Sequence, residues 1–261
     1  MNYKLIAAAV IGAAALLPTA ALAQDDNDDR VRVGLGAQVQ PKYIGADDSQ
    51  VAPLFKFKIA RGNEPFKFSA PNDSFGIPLV SSGGFSFGPA ANLEGSRKDK
   101  DVGAPVGKVP TTFEAGAFAE QYVGKSIRLR AEALKGIGGH KGLVGSLAAD
   151  QIWRDGDKYV FSIGPRVRFS DARYQRAYFG VTPAAALATG LPAYRPSGGF
   201  HALGAETTAS FALNPRWGLF GYAAYDRLIG DAAKSPIVRE LGSRDQLSGG
   251  IGLTYTFIVH H

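Results

Sequence analysis

The stretch that decides the fold is the last strand-like segment, residues 246–257, which reads Gln-Leu-Ser-Gly-Gly-Ile-Gly-Leu-Thr-Tyr-Thr-Phe. Because successive side chains of a β-strand point to opposite faces, one face here is apolar and ends in aromatic residues, whereas the other is small and polar. The apolar face carries Leu247, Gly249, Ile251, Leu253, Tyr255 and Phe257. A soluble sheet can show this alternation. A transmembrane β-barrel needs it, since lipid lies outside and a polar lumen inside.

The N-terminus has the three parts of a secretory signal peptide. Lys4 gives it a basic start, an apolar stretch follows, and Ala-Leu-Ala at 21–23 supplies small residues for cleavage. We therefore expect export. The expected divisions are a signal peptide (1–23), a flexible acidic tail (24–29), an outer-membrane β-barrel (30–257) and a C-terminal tail (258–261).

Composition excludes several classes of protein. The chain has no Cys, which removes disulfide frameworks, thiol catalysis and thiolate metal sites. The net charge of +6 is spread along the chain, so no basic block indicates nucleic-acid binding. After the signal peptide, no apolar run approaches the ~18 residues of a spanning helix. The protein is either exported and soluble, or built into a membrane as strands.

Alternating segments of about ten residues recur along the mature chain, which is the length that a tilted membrane strand needs. Counting them predicts an all-β fold, an antiparallel up-and-down transmembrane β-barrel of about twelve strands, with 10–14 as the range. Two segments are less regular. Residues 64–80 are interpreted as one bent strand or a small hairpin, and residues 174–181 as a short aromatic strand.

The connection over residues 95–111 is long although the strand count places it on the periplasmic side. Either the count is wrong by one near residues 64–80, or a basic loop projects into the periplasm. In the second case the loop is a possible partner-binding surface. Its basic residues are Arg97, Lys98, Lys100 and Lys108.

Many charged residues fall on the predicted inner face. Unpaired charges in a closed interior are very costly, so these side chains must be paired or hydrated. They therefore form either a plug of mutual salt bridges or the filter of a charge-selective channel. The predicted lumen-facing charges are Arg30, Arg32, Lys56, Lys58, Glu94, Glu114, Glu120, Arg128, Arg130, Glu132, Asp150, Arg166, Arg168 and Glu206.

The sequence offers little for catalysis. A nucleophile needs a tuned acid or base within hydrogen-bond reach. The internal histidines, His140 and His201, each stand alone near a turn, and we expect both to be solvated. These two histidines are the only residues that keep an outer-membrane enzyme as an alternative. We expect no catalytic, cofactor-binding or metal-binding residues.

Several short motifs, in their order and spacing, resemble the MltA-interacting protein (MipA) / OmpV family of Gram-negative outer-membrane proteins. Together they cover most of the mature chain. They are Pro-Lys-Tyr-Ile-Gly at 41–45, the glycines at 83–88, Gly-Ser-Arg at 95–97, Glu-Ala-Gly at 114–116, Tyr-Phe-Gly-Val at 178–181, Tyr-Arg-Pro-Ser-Gly-Gly at 194–199, Arg-Leu at 227–228, Ser-Pro-Ile-Val at 235–238 and Gly-Leu-Thr-Tyr-Thr-Phe at 252–257.

The resemblance implies a barrel in the cell outer membrane, in contact with lipid and lipopolysaccharide and inserted by the barrel-assembly machinery. In one branch it implies a scaffold that holds a lytic transglycosylase and a murein synthase together. Other members are described as porin-like, which keeps a passive, charge-selective porin as the alternative. The family supplies no catalytic residues.

Overall fold

The computed structural model describes residues 28–260. The predicted signal peptide, residues 24–27 of the predicted tail and His261 lie outside the described residues. Ten long strands and two short ones form one antiparallel sheet. The strands are β1 (Asp29–Pro41), β2 (Ser49–Arg61), β3 (Phe75–Gly76), β4 (Val80–Ser82), β5 (Phe85–Glu94), β6 (Thr112–Val123), β7 (Ile127–Gly138), β8 (Leu143–Asp155), β9 (Tyr159–Ser170), β10 (Gly199–Ala212), β11 (Trp217–Leu228) and β12 (Asp245–Val259).

Five short helices lie in the connections. They are α1 (Asp99–Val102), α2 (Ala172–Phe179), α3 (Pro183–Thr189), α4 (Gly230–Lys234) and α5 (Pro236–Leu241). Within residues 28–260, no helix has the length and apolarity needed to cross a membrane.

The sheet curls round so that the last strand pairs with the first. β12 pairs antiparallel with β1, with Phe257 opposite Val31 and Gly249 opposite Val39. From β12 the pairing continues strand by strand back to β5, which pairs with β3 and β4. The predicted antiparallel barrel of about twelve strands is thus confirmed. Pairing is interrupted once, between β2 and the short strands β3 and β4.

The faces of the strands alternate as the sequence predicts. On β12, Leu247 and Ile251 are exposed on the outside, whereas Thr254 and Thr256 are buried inside. The neighbouring outward rings of Trp217, Tyr255 and Phe257 meet edge to face, with centroids 4.9 and 4.8 Å apart. An apolar exterior with an aromatic cluster near one rim suits a lipid bilayer with its interfacial girdle.

The two ends of the barrel differ. The end that carries both chain termini, here the terminus end, has the short turns 124–126, 156–158 and 213–216. The opposite end, the loop end, has the connections 42–48, 95–111, 139–142, 171–198 and 229–244. Four of these, all but 139–142, form the loop cap, which shares an apolar cluster of Tyr43, Ala46, Val102, Val106, Val181, Ala185 and Ile237. The loop end is therefore a folded lid with its own core.

The predicted strand at 174–181 is wrong, because α2 occupies most of it. The Asp171 carboxylate accepts hydrogen bonds from the backbone N–H groups of Arg173 and Tyr174 at 3.0 and 2.9 Å, which caps the helix. The buried residues Tyr174, Gln175, Tyr178 and Phe179 recur with helical spacing.

The interpretation of residues 64–80 as one bent strand is also wrong. Residues 62–74 enter the lumen, and the hairpin alternative holds only for the part beyond them, where β3 and β4 pair with β5. The strand β5 consequently runs from the terminus end to the loop end, and the loop 95–111 joins the loop cap. The sequence left two explanations for the long loop 95–111, a strand count that is wrong by one or a loop on the side of the chain termini. The structure shows the first, because the loop lies at the end opposite the termini.

Close packing between β8 and β9 depends on glycine at position 164. A Cβ atom at Gly164 would lie 1.8 Å from the carbonyl oxygen of Ala149, whereas a Cβ at Gly95 meets nothing within 4 Å. We predict that Gly164→Ala destabilises the folded barrel by about 1–3 kcal/mol through overpacking. Urea midpoints of the protein refolded in detergent would measure this. Gly95→Ala is the control and should leave the midpoint unchanged; equal midpoints for both variants would contradict the assignment.

Candidate functional site

The lumen is occupied by the chain itself. After β2 ends at Arg61, residues 62–74, here the plug segment, run inside the barrel instead of pairing with a strand. Its side chains Phe66, Phe68 and Ala70 are buried. Prolines at 65 and 71 remove backbone donors, which disfavours a place in the middle of a sheet.

Residues of the terminus end hold the start of the plug segment. Asp157 accepts a hydrogen bond from the backbone N–H of Phe66 and forms a salt bridge with Arg30, both at 3.0 Å. Arg154 donates to the carbonyl of Phe66 at 3.2 Å. The guanidinium of Arg32 lies 4.1 Å from the centroid of the Phe66 ring, a cation–π contact. The plug is thus clamped where it enters the lumen.

A buried ion cluster centred on Arg128 holds the other end, here the plug tip (residues 72–74). The Arg128 guanidinium is fully buried and contacts Asp73 of the plug at 2.6 Å, Asp150 at 2.6 Å and Glu120 at 3.3 Å. Asp150 also accepts a hydrogen bond from Arg166 at 2.6 Å. A buried charge is tolerable when it is paired and hydrogen-bonded, and Arg128 supplies that condition for three carboxylates at once.

The rest of the plug tip is also bound by inward charges. Arg130 contacts Glu132 at 2.5 Å and donates to the carbonyl of Ser74 at 3.1 Å. Glu132 in turn accepts from the backbone N–H of Ser74 at 3.2 Å, and Glu206 accepts from Asn72 at 2.9 Å. The barrel wall and the plug therefore share one polar network.

The structure places the remaining predicted lumen charges inside the barrel as well. Lys56 donates to the Ser210 hydroxyl at 2.8 Å, and Arg168 pairs with Asp226 at 3.2 Å. Glu94 lines a cavity described below. The inward face that strand alternation predicts is thus the face on which these charges lie.

We call the interruption in the sheet, between β2 and the short strands β3 and β4, the seam. A contact of Lys58 shows where the plug lies relative to it. Among residues 28–260, the free edges of β2, β3 and β4 have no paired strand. Lys58 of β2 donates to the carbonyl of Lys67 at 2.7 Å, and the plug leads directly into β3 at Phe75. The plug segment therefore lies behind the seam.

Both internal histidines are buried, so the expectation that they are solvated is wrong. The two ring nitrogens of His140 contact Glu114 at 2.9 Å and the backbone N–H of Gly142 at 3.0 Å. His201 Nδ1 lies 3.0 Å from the hydroxyl of Ser170, and His201 Nε2 has no hydrogen-bond partner among the described residues.

Arg97 is a structural centre of the loop cap. Its side chain is 2 % exposed and donates to the carbonyls of Tyr178 at 2.5 Å and Gly107 at 2.7 Å. Burial lowers the pKa of the Arg97 guanidinium below its ordinary value. Lys98, Lys100 and Lys108 are exposed on the same loop. All four predicted loop residues therefore belong to the end opposite the chain termini.

A cavity of about 350 Å³ lies between the plug tip and the loop cap. Pro71, Asn72, Asp73 and Ser74 of the plug line one side of it. Tyr43 of the cap also lines it. Among residues 28–260, no group of three or more His, Asp or Glu side chains is placed to hold a metal ion, in this cavity or outside it.

Sequence reasoning misses the plug segment, its contacts with the wall and the burial of Arg97. One signal was visible: residues 64–80 break the alternation around Pro71-Asn72-Asp73. Nothing in the sequence indicates that Asp73 meets Arg128, since 55 residues separate them.

A curled antiparallel sheet with an apolar exterior, an aromatic cluster near its rim and a charged interior defines an outer-membrane β-barrel. The model of the family described as MltA-interacting protein MipA matches residues 33–257, and the chain belongs to this family. The resemblance inferred from the sequence motifs is thus confirmed.

Comparison with solved structures finds further barrels. The translocator domain of the autotransporter NalP from Neisseria meningitidis is 15% identical, with a TM-score of 0.40, over 90% of this chain and 90% of that one. An outer-membrane channel from Pseudomonas putida F1 is 7% identical, with a TM-score of 0.42, over 92% of this chain and 100% of that one. No curated protein sequence matches.

The Arg128 cluster yields a stability prediction. Arg128→Met leaves Asp73 buried without its salt-bridge partner and removes one of the two arginines that pair with Asp150, so we expect a loss of about 3–5 kcal/mol in unfolding free energy. Urea titration of the refolded protein would measure it. Arg227→Met is the matched control, since Arg227 and Asp245 form a salt bridge at 2.6 Å that is half exposed. If Arg227→Met lost as much stability as Arg128→Met, the buried cluster would not contribute more to stability than an exposed salt bridge, and the prediction would be wrong.

Proposed function

We propose that this protein is a non-conducting outer-membrane barrel that anchors periplasmic peptidoglycan-remodelling enzymes, a lytic transglycosylase and a murein synthase. The observation that carries the proposal is the plug segment. It is fixed inside the barrel, at its start by Asp157 and at its tip by Arg128, where it would obstruct the passage of a solute. A barrel closed in this way is better suited to holding a partner than to passing solutes. Membership in a family described as MltA-interacting supports the choice of partner class.

The partner surface in this proposal is the terminus end. Outer-membrane barrels of this type have short turns on the periplasmic side and long loops outside. The turns at the terminus end expose Lys125, Lys158 and Arg216. The basic loop 95–111 lies at the other end and is therefore not part of the proposed surface.

The role we propose is non-enzymatic. The pair of Ser170 and His201 is the arrangement nearest to a nucleophile with its base. His201 lines the cavity, but Ser170 is not among the residues that do so. A substrate in the cavity would meet the imidazole rather than the hydroxyl.

The anchoring role predicts a charge-dependent interaction at the terminus end. Replacing Lys125, Lys158 and Arg216 with Gln should reduce capture of a purified lytic transglycosylase about three- to tenfold at low salt, since rim charges steer association. Capture on the immobilised, refolded barrel would measure this.

The matched control neutralises the three exposed lysines of the opposite end, Lys98, Lys100 and Lys108, and should capture normally. Equal loss with both triple variants would assign the effect to net charge. Unaltered capture with the first variant would remove these turns from the proposed surface.

A second prediction separates the anchor from the porin alternative, which the charged inner face favours. Refolded wild-type protein in a planar bilayer should give no stable conductance steps. A variant in which a Gly-Ser link replaces residues 64–72 should conduct, because most of the side-chain volume of the plug is removed while Asp73 still pairs with Arg128. Both proteins must first show heat-modifiable mobility, which establishes folding.

Stable steps from the wild-type protein would overturn the proposal of a closed barrel. The porin alternative would then require that ion selectivity changes when the inward arginines are neutralised. Those residues are Arg128, Arg130, Arg166 and Arg168.

A further inference from the structure

We propose that the outer wall of the barrel over β6, β7 and β8 binds one acyl lipid that carries an anionic phosphate head group. The phosphate contacts Lys135, Lys141 and Arg173 at the loop end, and one acyl chain lies in a groove on the lipid-facing surface below them. The inference goes beyond the anchoring role and does not depend on it.

Lys135 places a charge on the lipid-facing surface of the barrel. Its side chain is half exposed, and the residues beside it on the outer face are Ala115 of β6 and Leu143 of β8. Ile137, which is also exposed, follows it toward the rim. A charge on the lipid face of a barrel becomes more costly with depth, so an ammonium group at this position requires an anion or water at the interface.

The pairing of Lys135 is weaker than that of the other outward charges. Within residues 28–260, the other charged residues at outward strand positions lie at a strand end or one residue from it, and they are Asp29, Arg61, Asp155, Arg227 and Asp245. Arg227 and Asp245 pair at 2.6 Å. Lys135 lies three residues inside the end of β7, and its acidic neighbour Asp171 is 4.0 Å away. One oxygen of Asp171 already accepts two backbone hydrogen bonds at the start of α2.

Two further basic side chains lie near Asp171 on the same part of the rim. Lys141, in the turn between β7 and β8, and Arg173, in the first turn of α2, are both exposed. The turn and the helix are packed together, since a Cβ atom at Gly142 would lie 2.4 Å from the backbone nitrogen of Tyr174. Three cations are thus grouped around one partly engaged carboxylate. This imbalance suits a phosphate, which Lys and Arg bind through charge-assisted hydrogen bonds.

Below these residues the outer wall forms an apolar groove of about 450 Å³. The small side chains of Ala119, Ala131 and Ala149, on three neighbouring strands, leave the space open. Larger apolar side chains border it, namely Phe85, Leu129, Leu147 and Val167. Ligand sites commonly have a volume in this range, and a groove that faces lipid suits an acyl chain.

A path of small residues joins the groove to Lys135. Ala131, Ala133 and Lys135 follow one another on the outer face of β7, so Lys135 lies about 13 Å along the strand from the groove. Ala133 is paired with Ala117 on one side and Gly145 on the other. These side chains have at most one carbon atom and leave the path clear. The groove and the basic residues are therefore placed as the acyl chain and the head group of one lipid require.

Calorimetric titration of the full refolded protein tests the proposal, with lipid A presented in mixed micelles of the same nonionic detergent. We expect saturable binding of one lipid A per barrel. Dioleoylglycerol, which has acyl chains but no phosphate, and inorganic phosphate, which has no acyl chain, should each bind far more weakly. Inorganic phosphate that bound as tightly as lipid A would overturn the assignment of a lipid.

Two variants test the two parts of the site separately. Lys135→Gln should weaken lipid A binding about tenfold, the effect of one charge-assisted hydrogen bond. Ala131→Phe should also weaken it about tenfold, because its ring takes the space of roughly two methylene groups of the acyl chain.

Each variant has a matched control elsewhere on the barrel. Lys234→Gln removes an exposed lysine of the loop end on α4, and Ala223→Phe adds a ring at an exposed outward position of β11. Both controls should bind lipid A like the wild type. Weakening in a control equal to that in its test variant, or no weakening in Lys135→Gln and Ala131→Phe, would overturn the proposal. Every variant must show wild-type heat-modifiable mobility, so that a loss of binding reports on the site.

Discussion

The buried guanidinium of Arg128 is the interaction on which the rest of the interior depends. A fully buried cation is costly unless acidic partners surround it, and Asp73, Asp150 and Glu120 do so. Because Asp73 belongs to the plug and the other two to the wall, the same pairing that makes Arg128 tolerable also fixes the plug. If the plug left the lumen, Arg128 would lose the carboxylate of Asp73 as a counter-charge, so the charges of the wall favour the plugged arrangement.

The seam in the sheet follows from the same arrangement. In hydrocarbon each unsatisfied backbone group costs several kcal/mol, which is why membrane barrels normally close completely. Here the residues between β2 and β3 fill the lumen instead of completing the wall. Lys58 links β2 to the plug at Lys67, so the polar backbone of the plug lies directly behind the unpaired edges. The plug therefore occupies the lumen and also covers the inner side of the seam.

Much of the wall could be predicted from the sequence, because lipid outside and polar groups inside impose a period of two that the residues must follow. The terminal strand, its partner β1 and the inward arginines all obey that period. The plug could not be predicted, since its contacts join residues far apart, such as Asp73 with Arg128 and Asn72 with Glu206. The helix α2 lies where the sequence predicts a strand, because aromatic residues are common in strands; the cap at Asp171 and the helical spacing of the buried residues distinguish the two structures.

The plug and the loop cap divide the molecule into two regions with different chemistry. Toward the terminus end, Asp157 binds both Arg30 of the wall and the backbone of the plug, and a partner there would meet the exposed turns. Toward the loop end, a cavity lined by Glu94 and Glu114 lies beneath a lid that has its own apolar core. Both regions meet at residues 72–74, where the tip that closes the lumen is also the floor of the acidic cavity. The segment that lines this cavity is therefore the same one that Asp157 binds near the terminus end, so contacts at both ends of the lumen hold one continuous stretch of chain.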